Sequence, residues 1–325
     1  MAAVREQEAP GTAPALLAAQ EPAEGRAPVI MAVDAPGLLM RCIRAGEKTG
    51  LHTKDYVPTG PLAMFVSSLA RKLRLVRPDT LILAWDGLDA RLWREGFYPG
   101  YKSNRLPPHA GSQHWLLADQ FCDAAQIPQM TVRGFEADDL LAAVARAAEF
   151  YRPEARLLLC SDDRDLQQLL VPGRAYLMSL DAGDRITEAE GVRATWGVEP
   201  RHLSWVRALS GDSSDGIPGL PGIGPKTALK MLAYGREAPG WPPDEDMVGD
   251  RYARAQVIAW QRIIDLISPP RRPEDDPDAG EEYFSRAVSR RWETPHSGVL
   301  AEVRKLFVRY ELSALLSRLD EGRLW

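Results

Sequence analysis

Short apolar runs that stop at an acid alternate along this chain with stretches of helical spacing. The run Val29-Ile30-Met31-Ala32-Val33 predicts a buried strand ending on Asp34, and Pro36 then starts a helix carried by Leu38, Leu39 and Ile43. Pro61 to Lys72 puts Leu62, Phe65, Val66 and Leu69 on one helical face, and Thr80 to Trp85 predicts a strand ending on Asp86. Arg156 to Cys160 predicts another, followed by the acids of Ser161 to Asp165 and a helix from Leu166. Between them, His114 to Ala125 is amphipathic, and GFEADDLLAAVARAA sets Leu140, Leu141, Val144 and Ala148 on one face, with Glu136, Asp138 and Asp139 in the first turn. Ala175 to Met178 predicts a further strand, and Thr187 to Glu190 a capping box that opens a helix. Strands alternating with helices imply a parallel sheet covered on both faces, with ligands at the carboxyl ends of its strands.

The pattern changes after residue 198. Pro200 to Leu209 predicts one helix and Lys226, Thr227 open another, with the Gly/Pro turn Gly219 to Pro225 between them. Amides at such a helix start carry partial positive charge and suit a nucleic-acid phosphate, so Gly222, Gly224, Lys226 and Thr227 are candidate contacts in a helix-hairpin-helix that grips duplex without reading sequence. Pro/Asp-rich loops at Pro239 to Asp246 and Pro269 to Glu282 flank a helix over Tyr252 to Ile267. Val299 to Leu319 predicts two more, expected to pack on the duplex-binding end. Residues 1–28, rich in Ala, Pro and Glu, predict a disordered tail.

Three strand ends thus bring Asp34, Asp86, and Asp163 with Asp165, to one sheet edge. The acids at 136, 138 and 139 could each simply favour a helix dipole. Together they are costly: two like charges about 4 Å apart repel by roughly 4 kcal/mol at an effective dielectric near 20. A divalent cation resolves this, and a site with no His or Cys suits Mg²⁺ or Mn²⁺ rather than zinc.

Composition then limits the reading. The 325 residues carry a net charge of −5, which at first excludes a basic DNA-binding surface, but setting aside the ten acids at 34, 86, 136, 138, 139, 162, 163, 165, 212 and 215 turns −5 into +5. Cys42, Cys122 and Cys160 are too scattered for a zinc site or a disulfide framework, and no apolar run reaches the length of a membrane span; a cytoplasmic protein is expected.

In order, VDAPGLLMR, Asp86 with Tyr101-Lys102-Ser103-Asn104-Arg105, GFEADD, SDDRDLQQLL and GDSSDGIPGLPGIGPKTA resemble the motifs of the 5′ nuclease family. That family includes the N-terminal nuclease domain of bacterial DNA polymerase I and the phage flap endonucleases. The likeness runs from Val29 to Leu232, with a weaker echo to Leu319. It implies an α/β, PIN-like fold with a mostly parallel sheet over 29–198, a helical arch at about 87–112, and a helical region with the hairpin over 199–325. It also implies a first metal cluster of Asp34, Asp86, Glu136, Asp138 and Asp163, and a second of Asp165, Asp212 and Asp215, with Asp139 acting through water and Asp162 solvated. Lys102 and Arg94 match basic positions facing the scissile phosphate; Tyr101 stacks on an unpaired base and Arg105 adds a DNA contact. Arg94, Tyr98, Tyr101 and Arg105 fall on one helical stripe that Pro99-Gly100 interrupts, so the arch helix is expected to start at Pro99. Ala35-Pro36 stands where the family has glycine, and Gly216 where it has asparagine.

The function so implied is a structure-specific 5′ to 3′ DNA nuclease or flap endonuclease of DNA replication or repair, using two or more Mg²⁺ ions that Mn²⁺ can replace, with a K⁺ at the hairpin. It would act as a free-standing monomer on DNA with a 5′ flap, nick or free 5′ end, and on RNA–DNA hybrids, with no membrane. A PIN-like metal-dependent ribonuclease and a non-catalytic junction-binding protein are the alternatives.

Overall fold

In the computed structural model, which describes residues 27–104, 112–234, 249–293 and 295–325, the first apolar run is β1 (Val29–Asp34), followed by α1 (Ala35–Gly46), α2 (Gly60–Val76) and β2 (Thr80–Ala84). Next come α3 (Leu92–Phe97), α4 (Gln113–Ala124), β3 (Gln129–Met130), α5 (Ala137–Tyr151), β4 (Arg156–Cys160), β5 (Ala175–Met178), β6 (Ile186–Thr187) and α6 (Ala189–Trp196). The chain continues through α7 (Leu203–Ser210), α8 (Pro225–Tyr234), α9 (Arg251–Ile264), α10 (Gly280–Ser289), α11 (Ser297–Arg309) and α12 (Ser313–Asp320). The tail up to residue 26, Arg105 and the connection to 111, and the loop at Pro239 to Asp246 lie outside the described residues.

The six strands lie in the order β3-β2-β1-β4-β5-β6, parallel except for the β5–β6 pair. Strand direction of travel reverses at β1, whose neighbours are β2 and β4. The crevice beyond the carboxyl ends of β1 and β4 is therefore the switch point where such sheets bind ligands. Successive side chains of a strand face opposite ways. Ile30, Ala32, Ile82 and Leu159 enter one core with α5, α7, α9 and α10, while Val29, Met31, Val33 and Leu158 enter the other with α1, α2 and α4.

Several expectations are corrected. The helices over Val299 to Leu319 do not pack on the duplex-binding end: Val303, Phe307, Leu315 and Leu319 join the core on the α1, α2 and α4 face, and Phe307 stacks on Phe121 with ring centroids 6.2 Å apart. Thr187 is held in β6 opposite Leu177, so it cannot cap α6, whose N-cap is Glu188. No helix starts at Pro99. Tyr98 is extended before the proline, the chain makes turns from 98 to 104, and Lys102 sits at φ +47°, which helical backbone does not accommodate. After β4 the segment Arg164–Leu169 is a 3₁₀ turn rather than an α-helix from Leu166.

The cysteines are buried and unbridged. Among the described residues no helix is long and apolar enough to cross a membrane.

Candidate functional site

Asp34 ends β1 and caps α1: its Oδ1 accepts from the Gly37 N–H at 2.8 Å, and Oδ2 accepts from the Ser161 hydroxyl at 2.7 Å. Pro36 is suited to this first turn, where its missing N–H costs nothing, and a Cβ on Gly37 would lie 2.3 Å from the Asp34 carboxylate. The departure Ala35-Pro36 thus leaves the cap intact. Ser161, itself buried, also accepts from the Asp163 N–H at 3.0 Å, so one hydroxyl ties the ends of β1 and β4 together. Asp163 in turn accepts from the Asp165 N–H at 2.8 Å. Across the sheet, Asp86 accepts from the Ala137 N–H at 2.8 Å, joining the end of β2 to the start of α5.

Glu136, the N-cap of α5, is surrounded by donors. Lys102 Nζ is 2.7 Å away, the Tyr101 hydroxyl 2.6 Å and Arg94 Nη1 3.1 Å. Burial would raise its carboxyl, but Lys102 and Arg94 hold it at about 2. Asp139, one turn on, caps the Glu136 N–H at 3.0 Å and takes both terminal nitrogens of Arg94, at 2.7 and 2.6 Å. Arg94 also donates through Nε to the Ile263 carbonyl at 2.9 Å.

Three expectations change here. Arg94 is 2% exposed and bound to Asp139, so it braces α3 against α5 and α9 instead of facing a substrate phosphate. Asp139 is 1% exposed, with its oxygens committed to Arg94 and the Glu136 amide, which leaves it a structural role rather than one through water. Tyr101 is buried with its hydroxyl on Glu136, so its ring is not available to stack on a base. Asp162 is half-exposed and paired with Arg41 at 3.1 Å, while it accepts from the Leu180 N–H at 2.8 Å.

The remaining acids repel one another. Burial and then the neighbouring Asp86 and Asp163 carboxylates raise Asp34 to about 6, despite the hydrogen bonds from Gly37 and Ser161. Asp138 is pushed well up by burial, Asp163 and Asp34, and Asp165 by burial and Asp163, against the pull of Arg207. Asp212 goes the other way: bonds from Ser214 and Arg207 outweigh its burial. Arg207, which the sequence reading did not single out, bridges the loop acids, with Nη1 on Asp212 and Nε 3.0 Å from Asp165 Oδ1. That oxygen is buried and receives no aligned hydrogen bond. Arg207 stands one turn before the end of α7, and Ser161 opens the acidic motif itself; proximity to the acids was the only available signal for either.

The acids from 34 to 165 and the 212–215 loop are thus within electrostatic reach of each other, as the mutual shifts require. Among the described residues no three His, Cys, Asp or Glu side chains are drawn in tightly enough to hold an ion as they stand. An all-oxygen set of mutually repelling carboxylates, with the buried Asp165 Oδ1 paired to Arg207 but without an aligned hydrogen bond, nonetheless fits hard divalent cations, which would relieve the repulsion.

At the hairpin, Gly219 is at φ +69° and a Cβ there would lie 2.3 Å from the Gly211 nitrogen, which only glycine accommodates. Gly222, Gly224, Lys226 and Thr227 are all exposed, while Ala228 and Leu232 of α8 pack with Val206 and Leu209 of α7.

The chain is 34% identical over 208 residues to DNA polymerase I of Rhizobium leguminosarum, matching 62% of this chain and 20% of that one. It is 35% identical over 204 residues to the thermostable DNA polymerase I of Thermus aquaticus, matching 62% and 23%. The chain therefore spans about a fifth of the length of these relatives. Among solved structures, T5 5′-exonuclease with divalent zinc ions bound matches with a TM-score of 0.60 at 18% identity, over 85% of this chain and 99% of that one. The phage T5 D15 flap endonuclease in a complex with DNA and metal ions gives 0.62 at 18% identity, over 80% and 98%. The Rad2 catalytic core with DNA substrate gives 0.54 at 14% identity, over 95% and 95%. These likenesses show a shared fold. Residues 29–197 match the family of the 5′-3′ exonuclease N-terminal, resolvase-like domain, and with more than half of its length so matched, the chain belongs to that family.

Proposed function

We propose that this protein is a metal-dependent 5′ to 3′ nuclease that cuts DNA near the junction of a duplex with a 5′ single strand, in replication or repair. The observation that carries this reading is the crowding of Asp34, Asp138, Asp163 and Asp165 at the sheet's switch point, where burial and the Asp163 charge push the other three up, with the Lys102 ammonium bonded to Glu136 beside them. Asp34, Asp86, Asp138 and Asp163 would hold one divalent ion, joined by Glu136 when one of its bonds from Lys102, Tyr101 or Arg94 gives way, and Asp165, Asp212 and Asp215 a second; Asp139, against the sequence expectation, is not among them. When bound, Mg²⁺ or Mn²⁺ supplies charge stabilisation to the attacking and leaving oxygens of the phosphodiester.

The chain's own groups do the rest. Ser161 and the amides of Gly37 and Ala137 hold the carboxylates in place. Lys102 keeps a fixed positive charge at the cluster, where charge develops on the phosphate in the transition state. Gly222, Gly224, Lys226 and Thr227 offer an exposed helix start to duplex phosphates, independent of sequence. A monovalent K⁺ at the hairpin, activity on RNA–DNA hybrids and a monomeric state belong to the same reading. The T5 and Rad2 structures with DNA support DNA as the substrate class.

The test is a panel of 5′-flap DNA, nicked duplex and single-stranded RNA, each with Mg²⁺ and with EDTA. Cleavage of the flap DNA in Mg²⁺ alone supports the reading. Preferential cleavage of the RNA, or tight binding of flap DNA without cleavage, would assign the chain to a ribonuclease or to a junction-binding protein.

A further inference from the structure

Three arginine and lysine side chains converge on Glu136, and they are not equivalent. Arg94 is fixed by Asp139 and Ile263, and Lys102 donates to Glu136 at 2.7 Å. The third, Arg91, stands at the N-cap of α3 with its Nε 4.0 Å from Glu136 Oε1, beyond hydrogen-bond distance. That Nε is buried with no hydrogen-bond partner, while 18% of the side chain remains accessible. Its charge reaches Asp86 as well.

A buried guanidinium N–H without an acceptor is costly, of order 1–3 kcal/mol, and an oxyanion ligand is one partner that relieves the cost. Glu136 cannot do so, because its oxygens already receive Lys102, Tyr101 and Arg94. Glu136 at 4.0 Å offsets the charge without giving Nε an acceptor, and a cation would be repelled. The matching ligand is an oxyanion with two oxygens in the plane of the guanidinium fork, as a phosphate offers. Arg94, three residues on, was the arginine expected to face phosphate; its three nitrogens are held by Ile263, Asp139 and Glu136, whereas the Arg91 Nε has no acceptor.

We infer that Arg91 contacts a backbone phosphate of the DNA strand bound at the acidic cluster. This rests on the nuclease reading for its substrate, and it assigns the phosphate contact to a residue outside the acidic motifs. Arg91 then acts as a substrate-contacting residue, while Arg94 is a brace.

The experiment is a cycle of protein and substrate changes. Wild type, Arg91→Gln, Arg91→Lys and Arg94→Gln are each assayed with 5′-flap duplexes carrying a neutral methylphosphonate at one of the phosphates flanking the junction. Single-turnover cleavage is read in Mg²⁺, and affinity by fluorescence anisotropy in Ca²⁺. Arg91→Gln is expected to lose about 10- to 100-fold on unmodified DNA. One methylphosphonate should cost wild type a similar factor and cost Arg91→Gln nothing further, and Arg91→Lys should recover part of the loss. Arg94→Gln should lower the melting temperature and retain the full methylphosphonate effect.

Losses that multiply at every phosphate overturn the inference, as does a loss in Arg91→Gln that tracks only melting temperature. Wild type that binds but does not cut contradicts the nuclease reading, while the coupling in affinity still decides Arg91. Failure to bind any of these DNAs overturns both.

Discussion

The backbone N–H of Lys102 donates to the carbonyl of Asp215 at 2.9 Å, so the residue that places a cation on Glu136 is tied through its main chain to the loop of the second acid group. Two further bonds make this a clasp: the Tyr98 hydroxyl donates to the Gly216 carbonyl at 3.2 Å, and Asn104 Nδ2 to the Ser213 carbonyl at 3.2 Å. Gly216 sits at φ +73°, and a Cβ there would lie 2.6 Å from the Gly100 carbonyl oxygen. The glycine that replaces the family's asparagine is therefore what lets these segments touch.

Gly216→Ala and Gly216→Asn should both open the clasp. Asparagine tolerates the left-handed backbone better than alanine, but its Cβ meets the same oxygen. We expect a loss of about 1–3 kcal/mol in stability from strain and contact, and a fall in single-turnover cleavage as Lys102 loses its fixed position. Denaturant unfolding beside a cleavage assay checks this; a wild-type result in both measurements contradicts the clasp.

Removing the charge of Arg94 leaves the 1%-exposed Asp139 without its bidentate partner. Arg94→Ala should destabilise the fold by about 3–5 kcal/mol. Urea titration measures it, and a loss no larger than that of an exposed arginine variant would show that the pair is not a brace.

Acid dependence carries opposite signs at two carboxylates. Asp34 is raised from 3.8 to about 6, so the folded protein binds its proton more tightly than the unfolded chain does, and the charge cost at Asp34 appears as pH rises from about 4 to 6. Glu136 is held at about 2, below 4.5, so its contribution is present above 4.5 and is lost as pH falls toward 2. In EDTA, stability should therefore decline between about pH 4 and 6. Asp34→Asn should flatten that decline, as should Mg²⁺. Melting temperatures across this window decide it: a rise in EDTA would mean that the acids do not repel as described.

Much of this was legible in the sequence for a local reason. Asp34 and Asp86 follow apolar runs directly and Asp163 stands three residues after one, so a strand end and its acid are fixed by neighbours in the chain. The phosphate-facing role expected of Arg94 and the stacking expected of Tyr101 failed for a non-local one. Both are buried by contacts from Glu136, Asp139 and Ile263, which spacing within 94–105 cannot reveal. The same applies to Thr187, drawn into pairing with Leu177, and to Phe307, whose partner Phe121 lies far back in the chain. Ser161 and Arg207 escaped because a hydroxyl or guanidinium that orients acids carries no spacing signature of its own.

Grip and chemistry should separate at the hairpin. Lys226 is exposed at the start of α8, so if it contacts a duplex phosphate as proposed, Lys226→Ala should weaken flap binding alike across sequences and reduce the salt slope by about 1. Cleavage at saturating enzyme should persist. Unchanged affinity and slope would mean that duplex is held elsewhere.

Whether the crowded carboxylates serve divalent-cation chemistry on DNA is read from single-turnover cleavage of a 5′-flap duplex by wild type and Asp163→Asn, in Mg²⁺ and in EDTA, at enzyme concentrations saturating for DNA. We expect cleavage by wild type in Mg²⁺ only, its near abolition in Asp163→Asn, and flap affinity that is kept or tightened in the variant as repulsion of phosphate falls. Wild-type cleavage that continues in EDTA, or that survives Asp163→Asn undiminished, would contradict such a role.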